Sequence, residues 1–111
     1  MVKQVEKTEA IERIKGILKN IKEMLESQEL TKNTKSFFDS SIVTSYFSTR
    51  EQAITLHEEI FGYRCDRNNE FIRLIDGIVK DYCPDCIKFA LLAIEGTMRG
   101  ILHDIENGYL L

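Results

Sequence analysis

Hydrophobic positions fall into helical spacing over most of this chain, most clearly near its end. Ile87, Leu91, Ile94, Met98, Ile101 and Ile105 recur at alternating steps of four and three, the seam of a packed helix rather than a strand. Pro84 suits the first helical position, where its missing N–H costs nothing, so Cys83 falls at the N-cap. Asp85 lies in the first turn, favourable for the helix dipole. Asn107-Gly108 is the stop, because glycine readily takes the left-handed conformation that closes a helix. This most apolar segment predicts a helix that the others cover.

A first helix is predicted over about Thr8–Ser27, with residues 1–7 extending it or fraying. Its seam is Ile11, Ile14, Leu18, Ile21 and Leu25, widened by Ala10, Ile17 and Met24. The opposite face is charged, with Lys19–Glu23 and Lys22–Glu26 at i, i+4. Residues 29–37 are a loop by composition. Ile42 to Phe47 has strand propensity, but no partner strand is evident, so residues 37–47 are expected to form a short helix. Ser48-Thr49-Arg50-Glu51 has the spacing of a capping box and predicts a new start. That helix runs to Gly62, with Ile54, Leu56, His57, Ile60 and Phe61 inward and Glu58 and Glu59 outward.

The next helix is expected to be capped near Asn68 or Asn69. Phe71, Leu74, Ile75, Ile78, Val79 and Tyr82 form its apolar face, and Pro84 stops it around Tyr82 or Cys83. The predicted fold is an all-α, antiparallel four-helix bundle plus a short extra helix, built as one domain over residues 1–111. The apolar tail, Tyr109-Leu110-Leu111, is expected to dock on the bundle.

The reverse face of the last helix carries Phe89, Leu92, Ala93, Gly96, Gly100 and His103. Two interior glycines should each cost about 1 kcal/mol relative to alanine. Ala93, Gly96 and Gly100 leave a smooth groove, suited either to another helix of this chain or to a subunit interface. The second use makes Phe89, Ala93, Gly96 and Gly100 the contact residues of a homodimer. Lys88, Glu95, Arg99 and Asp104 interrupt the apolar run, which excludes a membrane helix despite the G-x-x-x-G spacing.

Composition narrows the choice of partner. A net charge of −3 and a pI near 5.4 lack the basic footprint of nucleic-acid binding. The N-terminal residues lack the apolar run of a signal peptide, and three cysteines suit a reducing compartment, so a cytoplasmic protein is expected.

Chemistry centres on the cysteines. A thiol at a helix N-cap is drawn toward the thiolate by the dipole, and a second cysteine one turn inside can resolve a mixed disulfide. Cys83-x-x-Cys86 therefore supports an alternative, dithiol redox function. The layout resembles the AhpD-like peroxidases, in which a histidine follows the second cysteine by four residues; Ala90 stands there in this chain. Asp85, between the thiols, opposes thiolate formation.

Zinc is the alternative cofactor. A helix of roughly 14 residues separates Cys65 from Cys83 and Cys86 by roughly 20 Å, and His103 lies about 25 Å beyond Cys86 along the last helix. A Cys65-Cys83-Cys86-His set thus fails within one chain. Two Cys83-x-x-Cys86 pairs joined across a dimer can supply four thiolates. At the other end of the bundle, alternating helix directions gather His57, Cys65, Asp66, His103 and Asp104, a second candidate metal set through His57, Cys65 and His103. Arg99 and His103 resemble the arginine–histidine signature of HEPN-class ribonucleases. They enclose three residues where that signature has at least four, and Arg99 is also placed to pair with Glu95. The pattern as a whole favours a non-enzymatic interaction or regulatory protein.

Overall fold

A computed structural model describes residues 5–27, 41–62, 66–78 and 84–111. These form α1 (Lys7–Glu26), α2 (Ser41–Phe61), α3 (Asp66–Ile78) and α4 (Pro84–Glu106), with no strand among the described residues. α4 packs against all three other helices, and α2 packs against α1 and α3, an arrangement consistent with a four-helix bundle. No described helix is long and apolar enough to cross a membrane.

The α4 seam behaves as its spacing predicts. Ile87, Leu91, Ile94, Met98 and Ile105 are fully buried, as is Ala90, and Ile101 is nearly so. Gly108 takes a positive φ of 79°. Its N–H bonds the Ile105 carbonyl at 3.2 Å and the Tyr109 N–H bonds that of Asp104 at 2.8 Å, the paired bonds of a Schellman stop. Beyond this stop only Leu110 packs on the core; Tyr109 and Leu111 are exposed, so the tail docks by one side chain rather than three.

In α1 the buried stripe is Ala10, Ile14, Ile17, Ile21 and Met24, while Ile11, Leu18 and Leu25 flank it half-buried. The helix is rotated slightly from the expected seam. Glu6 occupies the N-cap without a side-chain bond. Val5 and Ala10 on either side are buried, the positions of a hydrophobic staple. Val5 is thereby tied down rather than frayed.

The largest correction concerns α2. From Ser41 one uninterrupted helix runs through the described part of the expected short helix and through the separate helix expected from Ser48, residues 37–40 lying outside the described residues. Ile42, Tyr46, Thr49, Ala53, Leu56 and Ile60 are all buried and keep a single helical phase across the supposed break. Burial of that stripe outweighs the β-propensity of residues 42–47. Ser48 is exposed, and its Oγ accepts from Gln52 Nε2 at 3.3 Å, so it caps nothing. Gly62, with φ 97°, ends the helix as expected, its N–H bonding the Glu58 carbonyl at 2.7 Å.

α3 begins at Asp66, so Asn68 is its third residue and not a cap. Phe71 and Ile75 are buried and Ile72 and Ile78 half-buried, but Leu74 is exposed, contrary to the expected apolar face. Val79, Tyr82 and the 29–37 loop lie outside the described residues, as do Cys65 and Cys83.

Candidate functional site

The outward face of α4 is built by what the seam leaves over. With the isoleucines turned into the core, Phe89 is 58% exposed and Leu92 41%, while Gly96, Gly100 and His103 are exposed and Ala93 half-buried. A Cβ added at Gly96 or Gly100 would meet nothing within 4 Å among the described residues. The glycines therefore do not receive a described helix of the same chain. Gly16 and Gly77 are equally open. What sets Gly96 and Gly100 apart is their i, i+4 spacing on one face and the exposed Leu92 and Phe89 about one and two turns before Gly96. Around this face, Arg99 pairs with Glu95 at 3.7 Å, as the i, i+4 spacing predicts.

Gly96 and Gly100 also line one side of a groove of about 340 Å³ between α3 and α4, to which the end of α2 contributes His57 and Phe61. His57 lies there, 3% exposed, between the rings of Phe61 and Phe71, whose centroids are 4.6 and 4.7 Å away. Its Nδ1 is 3.1 Å from Asn68 Oδ1. Asn68 Nδ2 donates to Glu58 Oε1 at 3.4 Å, which leaves Oδ1 as acceptor. The imidazole therefore donates from Nδ1. Burial pushes the His57 pKa below 6.5; the Asn68 bond opposes this, and the Arg67 charge adds to it. Arg67 also caps the cluster, its guanidinium 4.6 Å above the Phe61 ring. Asn68 and Arg67 are the residues the sequence reading missed. Asn68 shares a helical stripe with Phe71 and Ile75, and that stripe was the available signal.

The candidate metal set is not assembled by the described residues. His57 is buried in the groove, whereas the side chain of His103 is exposed, with its Nδ1 3.5 Å from the carboxylate of Asp104. Asp104 and not His103 lines the His57 groove. No group of three His, Cys, Asp or Glu side chains placed for a metal ion occurs among the described residues. Cys65 falls outside them. Of the Cys83-x-x-Cys86 pair only Cys86 is described; it is half-buried in the first turn of α4, next to the exposed Asp85. Comparison of the chain with protein-family models, curated proteins and solved structures returned no match.

Proposed function

We propose that this protein is a non-enzymatic helical-bundle interaction protein that acts through the outward face of α4, with a second copy of itself as partner. The observation that carries the reading is the open i, i+4 pair Gly96 and Gly100, flanked by exposed Phe89 and Leu92. Interior helix glycines cost about 1 kcal/mol each, and no described residue approaches closely enough to need them. Their use lies in letting a surface from outside the chain come close. Large exposed apolar side chains beside them give that surface something to bury.

The test is Gly96→Leu followed by sedimentation velocity and circular dichroism. Gly96 is exposed and a Cβ there meets no described residue, so helicity is retained while dimers are lost. Dimers that survive the substitution, or a wild-type protein that is monomeric at high micromolar concentration, would overturn the reading.

A further inference from the structure

Resting on the reading of α4 as a self-contact face, we infer that two α4 helices pair antiparallel about a two-fold axis passing beside Gly96. The outward face is asymmetric along its length. Bulk sits in the N-terminal half, with Phe89 and Leu92, and space in the C-terminal half, with Gly96 and Gly100. At about 100° per residue, Phe89, Leu92, Ala93, Gly96, Gly100 and His103 all lie within about 60° of Gly96. A parallel pair would set Phe89 against Phe89 and Leu92 against Leu92 at the same level, and leave the glycine halves facing each other. An antiparallel pair brings bulk to space.

Centred on Gly96, that pairing puts each Leu92 over the partner helix's hole formed by Gly96, Arg99, Gly100 and His103. Each Phe89 lies over the next hole, formed by Gly100, His103, Asp104 and Asn107. Both are the four-residue holes that receive a knob in close helix packing. The two glycines deepen the first hole and one of them deepens the second.

Charge fits the same register. Lys88, Glu95, Arg99 and Glu106 run along one flank of the face with alternating sign. In an antiparallel two-fold pair this flank meets its own copy reversed. Lys88 then approaches Glu106 across the axis, offsetting the exposed Asp85 that lies at the same level, and Glu95 approaches Arg99. Because Glu95 and Arg99 already pair within each chain, the two copies close a ring of four alternating charges at the centre. Alternation of this kind fixes register and direction more than it adds affinity. A one-turn slip of the helices in either direction moves Leu92 off the one hole lined by both glycines.

A charge-swap cycle read by sedimentation equilibrium tests the pairing, with circular dichroism to show that each exposed substitution leaves the fold intact. Lys88→Glu sets like charges together twice per dimer and is expected to weaken association by about tenfold. Adding Glu106→Lys restores it. A second readout is Gly96→Cys, whose introduced thiols should cross-link to each other under mild oxidation, identified by mass spectrometry of the joined peptides. A dimer in which Glu106→Lys fails to rescue Lys88→Glu and the introduced thiols do not join overturns this pairing and leaves the self-contact reading standing. A wild-type monomer overturns both.

Discussion

His57 on α2 and Asn68 on α3 share a buried hydrogen bond, with Nδ1 and Oδ1 3.1 Å apart and both residues 3% exposed. The bond ties α2 to α3, and it fixes the imidazole between Phe61 and Phe71. Asn68→Ala leaves a buried N–H without an acceptor, so the unfolding free energy should fall by about 1–3 kcal/mol in urea titrations. A loss below about 0.5 kcal/mol would show that the pair is not a structural tie.

The same residue sets a pH dependence. The folded protein holds His57 below its ordinary value of 6.5, first through burial and also through the positive charge of Arg67, against the Asn68 bond. Between the two values the unfolded chain binds more protons than the folded one, so acid favours unfolding. His57's contribution is complete above pH 6.5 and declines as pH falls below it, levelling once the folded form also protonates. Urea midpoints measured from pH 7.5 to 5 should drop through this window. His57→Gln should flatten the drop even as it lowers the midpoint throughout; an equal slope in both proteins assigns the effect elsewhere.

Much of this architecture was legible because it follows from burial periodicity. The α4 seam, the Gly62 and Gly108 stops and the all-α class all rest on patterns one helix long. The misread positions are those where a local signal competed with a stripe crossing it. Ser48 has capping-box spacing, but Thr49 and Ala53 continue the buried phase of Ile42 and Tyr46, and tertiary burial decides. Asn68 has a capping side chain, yet its stripe with Phe71 turns it inward toward His57. The outward face of α4 was visible as a cluster of residues. Whether its glycines served the chain itself was not legible, because helical spacing places residues on a face but does not say which neighbour covers it; no described residue lies close to either glycine.

Gly100→Ala separates folding from association. Its Cβ meets nothing among the described residues, so the folded monomer should gain about 0.5–1 kcal/mol from lower backbone entropy in the unfolded chain. The same methyl fills part of the hole offered to Leu92 and Phe89 of the second copy and should weaken the dimer. Thermal unfolding at low micromolar concentration and sedimentation at high concentration read the two effects. Destabilisation of the monomer would mean that the position is already occupied from within the chain.

The interaction reading also makes a statement about the cysteines. Without a redox role, Cys83 and Cys86 should alkylate at pH 7 no faster than a small free thiol, the negative charge of Asp85 between them opposing the thiolate that the helix dipole favours. Mass-resolved iodoacetamide labelling measures this directly. A rate tenfold or more above the free thiol at Cys83 would return dithiol chemistry to the centre.

The most direct test of the contact face is hydroxyl-radical footprinting of the unmodified protein at low and high concentration. Phe89 and Leu92 on α4 and Phe47 on α2 are all exposed in the single chain, at 58%, 41% and 42%. As the protein self-associates, Phe89 and Leu92 should lose reactivity together while Phe47 keeps it. Undiminished oxidation of Phe89 and Leu92 at a concentration where the protein is dimeric would place the contact on another face and contradict the role assigned to α4.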